Sequence, residues 1–217
     1  MEKIKSNHLS EKVYHQIKDM ILHLKFKPGE HIPEEKLTSF VNGSRTIVRQ
    51  AMHRLSDDGL VNIYPRRFSE VAYYDEPAIK QIGVVRLSQD LLACGLAIRN
   101  GSDSDFSYLQ QIADKCEEGA KIGNIYERIA YDNEFHLQIT KIGRNNFLIE
   151  NQRKLYLRVH LIQISKYTNV KDSVAQISNH NTIIDALYKR DFAMIKESVC
   201  NHLQNFYAID QKIIDLY

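Results

Sequence analysis

The stretch "GSRTIVRQAMHRLSDDGLVNIYPRR", residues 43–67, changes its period part-way and so decides the fold of the N-terminal third. Its first half reads as a helix with Ser44 as N-cap, "RTIVRQAMHRL" as body, and Gly59, behind Asp57 and Asp58, as the stop. After Gly59 the period falls from about 3.6 to about 2. Leu60, Val61, Ile63 and Tyr64 lead into "PRRFSE" and then Val71, Ala72 and Tyr73, the pattern of a small hairpin. Arg45 and Arg49 stand one turn apart at the start of the helix. They therefore point the same way and can reach guanine edges or phosphates in a major groove, with Thr46 adding a hydroxyl.

Two more helices precede this one. Residues 9–25 are predicted helical, with Ser10 as N-cap and Val13, Ile17, Met20, Ile21 and Leu24 as the inward stripe. "KPGE" at 27–30 suits a type II turn, in which Pro28 presets φ and Gly29 tolerates a positive one. A short helix is expected from Pro33 to Val41, and "NG" at 42–43 is the turn that follows. Helix, short turn, helix is the geometry that reads DNA. With the hairpin it makes a winged helix-turn-helix over residues 1–74. These residues hold twelve Lys or Arg against nine acids, and between 44 and 56 there are three arginines and no acid. Such a cluster can simply solvate a helix face, but helix order, turn spacing and the second basic group at Arg66 and Arg67 together favour a nucleic-acid surface.

The segment from "VYHQIKDMILHLKFKPGE" through "SRTIVRQAMHRLSDDGLVNIYPRR" resembles the DNA-binding domain of the GntR family of bacterial transcription regulators. The resemblance rests on the PGE turn, the "SRT..VR.A...L...GL" recognition segment and the "PRR" wing. It implies that Arg45, Thr46 and Arg49 contact double-stranded operator DNA, and that Arg54, Arg66 and Arg67 join them. The chain departs from the family at Phe68, where glycine is usual, at Ile47, where proline is usual, and at Gln50, where glutamate is common.

From Asp75 onward no strand alternation appears. Six helices are predicted, at about 77–98, 104–121, 124–141, 145–167, 171–189 and 191–212, with "GSDSD" at 101–105 as the clearest break and N-cap signal. An antiparallel all-α bundle over 75–217 follows, and the core of such a bundle is a common place for a ligand or metal site. The fold class is thus mainly α, a winged helix-turn-helix followed by a helical bundle.

"YDNEFHLQITKIG", residues 131–143, places Asp132 and His136 four apart among Ile129, Phe135, Ile139 and Ile142. Burying that pair without partners costs several kcal/mol, so it needs a partner or a purpose. His180 lies among Ile177, Ile183, Ile184 and Leu187, and His202 among Val199, Leu203 and Phe206; a tight turn near Arg190 would bring the two imidazoles close. One carboxylate and three imidazoles suit Zn²⁺ foremost, with Ni, Mn and Fe as alternatives. Spacing alone leaves the plainer reading open, in which Asp132 and His136 form a hydrogen-bonded pair and the other histidines are satisfied core residues.

"YDNEFH", "NHNTIIDALYKRD" and the following His202 resemble the FCD effector domain of the FadR-like branch of the GntR family over about residues 77–212. The resemblance implies a divalent metal bound through Asp132, His136, His180 and His202, and a carboxylate effector met by an arginine beside it. Arg86 holds the comparable place on the first helix of the domain, and Arg158 is a second candidate. Three neutral imidazoles, one carboxylate and a divalent ion sum to a net charge of about +1, which attracts an anion.

Composition narrows the functional class further. Cys94, Cys116 and Cys200 are odd in number and lack a CxxC pairing, so neither a disulfide framework nor a thiolate metal site is expected. The longest apolar stretch, "LLACGLAI" at 91–98, is too short to span a bilayer, which leads to an expectation of no membrane partner and a cytoplasmic protein. The expected function is a homodimeric, ligand-responsive transcription regulator, acting as a repressor and answering a small organic acid. Two alternatives are a metal-dependent enzyme built on the same four residues and a regulator with a purely structural metal. Against the enzyme, hydrolysis usually needs a general base beside the metal, and Glu134, the nearest acid in sequence, lies two residues from both Asp132 and His136, about 200° around the helix, and so faces away.

Overall fold

The computed structural model describes the backbone of residues 2–41, 43–167 and 170–217 and the side chains of 9–41, 43–167 and 180–217. The chain divides into two compact units, Met1–Tyr74 and Asp75–Tyr217.

The first unit contains α1 (Glu2–Leu22), α2 (Glu34–Phe40), α3 (Arg45–Asp57) and a hairpin of β1 (Val61–Tyr64) and β2 (Phe68–Val71). It is a winged helix-turn-helix. Helix α1 starts eight residues before Ser10, which is therefore an interior residue and not a cap. The helix also stops earlier than the apolar pattern suggests. Leu24 takes a left-handed conformation, φ 54°, and the amides of Leu24 and Lys25 donate to the carbonyls of Ile21 and Met20 at 2.9 Å, a Schellman closure without glycine. The buried stripe is Val13, Tyr14, Ile17 and Ile21, while Met20 and Leu24 are only half-buried.

The "KPGE" turn forms as expected: the Glu30 amide donates to the Lys27 carbonyl at 2.9 Å, and Gly29 has φ 79°. Residues 29–32 then run beside β2, with Ile32 donating to Ser69 and Val71 to Glu30. Helix α3 is capped by Ser44, whose Oγ accepts from the Ile47 amide at 3.3 Å, and closes at Gly59 with φ 81°. Replacing the cap, Ser44→Ala, is expected to cost about 1 kcal/mol in urea unfolding; an unchanged midpoint would mean the cap contributes nothing. Of the "NG" turn, Asn42 lies outside the described residues.

The second unit contains α4 (Glu76–Asn100), α5 (Asp103–Lys121), α6 (Ile125–Ile142), α7 (Asn146–Lys166), α8 (Val170–Lys189), α9 (Phe192–Tyr207) and the short α10 (Gln211–Ile214). The starts of α4, α5, α6, α7 and α9 follow from local caps. Asp75, Asn124, Asn145 and Asp191 each accept the amide three residues on, and Ser102 with Asp105 forms a full capping box. Connections of a few residues let α5 and α6, α6 and α7, and α8 and α9 pack as hairpins. Helix α4 is the core of the unit and packs against α6, α7 and α9. By length and composition α4 could cross a membrane, which the stretch 91–98 alone does not reveal, yet in the bundle it buries Arg86 and Asp90 among apolar neighbours. Gly83 permits that packing, since a Cβ there would lie 2.3 Å from the Cβ of Tyr207.

The last predicted helix, 191–212, is in fact two. Ala208 adopts a left-handed conformation, φ 48°, and Asp210 caps α10. The break lets Ile209 and Ile214 both turn inward, where they are buried; continuing α9 could not place both.

Candidate metal centre and DNA-facing surface

Asp132 and His136 come from one face of α6, His180 from α8 and His202 from α9, with relative exposures of 0%, 3%, 1% and 3%. The α8–α9 turn supplies the convergence. Arg190 has φ 55°, and its Nη1 donates to the carbonyls of Ile98 (2.7 Å) and Gly101 (2.9 Å), tying the hairpin to the end of α4. One ligand atom from each of the four lies within 4.8 Å of all the others. Of the apolar neighbours that set this orientation, Ile183, Ile184, Leu187, Val199 and Leu203 are buried, Phe206 is half-buried, and the side chain of Ile177 lies outside the described residues.

The donor atoms face one another in a way that fits a cation. The Nε2 atoms of His136 and His202 are 3.1 Å apart. Asp132 Oδ1 and His180 Nε2 are 3.2 Å apart, yet both are buried without a hydrogen-bond partner. Such atoms inside a protein require an account, and an ion between them is one. Behind the first ring stand supporting groups: Gln163 Nε2 donates to Asp132 Oδ2 at 3.1 Å, and Asp90 Oδ2 is 3.5 Å from His136 Nδ1.

Electrostatics prepare the donors. Burial would raise the Asp132 carboxyl, but the Arg128 guanidinium, then His180 and Arg86, hold it well below the usual carboxylate range. Burial, then the Arg86 charge, keeps the His136 imidazole well below its ordinary value; burial, then His180, does the same for His202. A carboxylate that stays ionised beside imidazoles that stay neutral is the protonation state that metal binding requires.

Arg86 is 1% exposed and splinted on several sides. Its Nε donates to Tyr156 Oη (3.2 Å) and Asp90 Oδ2 (3.3 Å), and its Nη1 donates to Tyr207 Oη at 3.1 Å. Its Nη2 lies 3.9 Å from Asp132 Oδ2 and makes no hydrogen bond. Tyr156 and Gln152 in turn donate to Asp90, at 2.8 Å and 2.9 Å to its Oδ1. Arg158, the other arginine singled out from the sequence, is only half-buried, and no ion pair or hydrogen bond among the described residues joins it to the four. The α7 residues that meet the site are Gln152, Tyr156 and Gln163; Arg158, two positions past Tyr156, faces about 200° away.

Asp90, Gln152, Tyr156, Gln163, Tyr207 and Arg128 did not stand out in the sequence. Two signals were available. Arg128, Asp132 and His136 form an i, i+4, i+8 polar stripe, and Arg86 with Asp90 another pair. Glu134 is half-exposed and bonded to Lys141 at 2.9 Å, away from the cluster.

On the first unit, the exposed face of α3 carries Arg45, Thr46, Arg49, Gln50 and His53, opposite the buried Val48, Ala51, Met52 and Leu55. His53, one turn beyond Arg49, is the member not picked out from sequence. Arg45 is 3.6 Å from Glu35 across two well-exposed side chains, a pair that water and salt weaken. Arg54 is engaged within the unit: its Nη1 donates to Glu11 at 2.7 Å, and its guanidinium sits 4.3 Å from the Tyr14 ring centroid. The structure thus gives Arg54 a place in joining α3 to α1. At the wing, Arg66 takes the left-handed tip position with φ 61°. Phe68 is the first residue of β2, stacked on His31 with centroids 3.9 Å apart, and Arg67 lies 5.6 Å from the Phe68 ring. Arg66 and Arg67 are both exposed.

Residues 9–71 match the bacterial regulatory proteins of the gntR family, and residues 81–205 match the FCD domain. The chain belongs to the GntR family of bacterial transcription regulators and carries an FCD effector domain. It is 23% identical to the HTH-type transcriptional repressor RspR of Escherichia coli over 199 residues, covering 90% of this chain and 86% of that protein. It is also 23% identical to the HTH-type transcriptional regulator McbR of Escherichia coli over 209 residues, 95% of each. Among solved structures it resembles E. coli McbR/YncC, with TM-score 0.80, 22% identity and 96% and 98% of the two chains covered. A GntR regulator from Rhodococcus sp. RHA1 superposes with TM-score 0.80 at 20% identity over 96% and 98%. These relatives are regulators, so the metalloenzyme reading is set aside.

Proposed function

We propose that this GntR regulator is a cytoplasmic homodimeric repressor that binds a pseudo-palindromic operator and releases it when a small carboxylate reaches a metal site in the bundle. The observation that carries the reading is the convergence of Asp132, His136, His180 and His202 within 4.8 Å in a buried interior. These four would hold one divalent ion, with Zn²⁺ the first choice and Ni, Mn or Fe the alternatives. When bound, the ion supplies a positive centre that attracts an anionic ligand. Arg86 would orient that ligand through Nη2, which makes no hydrogen bond and lies 3.9 Å from Asp132 Oδ2. Operator binding falls to Arg45, Thr46 and Arg49 on α3, supported by Arg66 and Arg67 at the wing. One recognition helix per chain implies two half-sites and hence two chains.

Coupling between the sites must be reciprocal: a ligand that loosens DNA must bind the DNA-bound dimer less tightly by the same factor. His136→Ala is therefore expected to leave operator affinity largely intact and to abolish its response to carboxylates. Gel shifts with an operator recovered by selection from random DNA, run with and without a carboxylate panel, make the test. Loss of operator binding in a folded His136→Ala protein would assign the metal to building the DNA-competent dimer instead of to sensing. No heat of binding from any carboxylate, together with unchanged DNA affinity, would remove the effector reading.

A further inference from the structure

We infer that the wing selects sequence as well as gripping DNA: Phe68, stacked on His31, positions Arg67, which with Arg66 chooses a narrow A·T-rich minor groove beside each half-site. The inference rests on the operator-binding reading of the first unit. It starts from a cluster that core packing does not explain. Ser69 and Val71 turn inward from β2 and are buried, so Phe68 and Glu70 lie on the outer face. There the Phe68 ring stacks on His31, with centroids 3.9 Å apart and planes at 25°, and meets Tyr64, its partner across the hairpin, at 4.7 Å. His31 and Tyr64 are exposed, and Phe68 is half-buried. Three rings on the solvent side of a two-stranded sheet add little to the core and call for another role. The backbone holds the stack in place: residue 31 is bridged to Glu70, and the Ile32 amide donates to the Ser69 carbonyl at 2.8 Å.

The stack ends on an arginine. The Arg67 guanidinium lies 5.6 Å from the Phe68 ring centroid, close enough for a cation–π contact. An exposed arginine otherwise samples many rotamers, and ordering it on binding costs entropy. A ring fixed beneath it removes part of that cost before DNA arrives. Arg66 stands at the tip itself. The Arg67 amide donates to the Tyr64 carbonyl at 3.0 Å, so Pro65 and Arg66 are the central turn residues, and Arg66 has φ 61°, where glycine is the easier residue. An arginine kept in a strained tip position points to a task for its side chain. The tip holds no acid, and the nearest in sequence, Glu70, accepts from Tyr64 and Asn62. Strand β1 follows α3 after a short turn and packs against it, so the tip meets DNA beside the bases that α3 covers. The minor groove there is about 6 Å wide against about 12 Å for the major. In A·T runs it narrows further, and its stronger negative potential draws in arginine, whereas guanine obstructs it with an N2 amino group.

The full-length protein is tested by fluorescence anisotropy on an operator selected from random DNA and remade with A·T, G·C or inosine·C pairs flanking each half-site. Inosine lacks the N2 amino group, so its pair with cytosine keeps the major-groove face of G·C and frees the minor one. The parent is expected to bind about tenfold more weakly with G·C flanks than with A·T flanks, a size usual for a wrong base pair, and inosine·C is expected to restore the affinity. Phe68→Leu and His31→Ala are each expected to reduce that ratio to about threefold, while Phe68→Tyr, which keeps the ring, keeps the ratio. Arg66→Gly should lose it without lowering the urea midpoint, since glycine accepts the turn conformation freely. If Phe68→Leu does not fold, His31→Ala and the three titrations of the parent decide. Equal affinity of the parent for A·T and G·C flanks overturns the inference, as does weak binding to inosine·C flanks, which would place the loss in the major groove. An undiminished ratio in folded Phe68→Leu and His31→Ala proteins overturns the positioning role of the stack. No operator recovered by selection overturns the DNA-binding reading and the inference together.

Discussion

Asp132→Ala is expected to lose the divalent ion and also to destabilise the metal-free protein by about 3 to 5 kcal/mol, the usual cost of removing one partner from a buried charge pair. The second loss distinguishes Asp132 from the histidines. Arg86 and Arg128 both approach its carboxylate, at 3.9 Å and 3.6 Å, and all three side chains are at most 1% exposed. Deleting the carboxylate takes from Arg128 its ion pair with Asp132 and leaves Asp90 as the acid beside Arg86. His180→Ala removes a ligand but leaves the buried carboxylate with its guanidiniums, so it should abolish metal uptake while costing the stripped protein less. Elemental analysis together with urea unfolding in the presence of chelator separates the two effects. Equal stability of Asp132→Ala and the parent under chelator would show that the Asp132 carboxylate is not needed to balance these guanidiniums.

Arg49→Ala is expected to weaken specific operator binding by about 1 to 3 kcal/mol, and Arg45→Ala by a similar amount, with specificity relaxed at the base each one reads. Both side chains project from the exposed face of α3, and among the described residues Arg45 has only the solvent-exposed Glu35 to give up on binding. Arg54→Ala should behave differently. Its guanidinium is held by Glu11 and Tyr14, so the change should lower the unfolding midpoint of the first unit more than it lowers DNA affinity. Fluorescence anisotropy on a selected operator, paired with urea melts, reads both quantities. If Arg45→Ala and Arg49→Ala both bind operator as the parent does, α3 is not the reading helix.

Much of this molecule is written locally. Ser44, Ser102, Asn145 and Asp191 start helices because a side-chain oxygen meets an amide three residues on, a contact that needs no tertiary partner. The fall in period at Gly59 announces the hairpin for the same reason. Where local signals misled, packing had overruled them. Leu24 and Ala208 take left-handed turns that neighbouring sequence does not mark, because Phe26 in one case and Ile209 in the other must reach a core.

By itself the sequence determined the winged helix-turn-helix, the all-helical second unit and the inward placement of Asp132, His136, His180 and His202, since each depends on periodicity and capping over a few turns. Only the tertiary structure decided that Arg54 folds back onto Glu11 and Tyr14, that Arg158 faces away while Arg86 enters the site, and that Arg128, Asp90, Tyr156 and Tyr207 surround it. The physical reason is range. A cap or a stripe closes within one or two turns of helix, whereas the charge around a buried site is a sum over α4, α6, α7 and α9, brought together only when those helices pack.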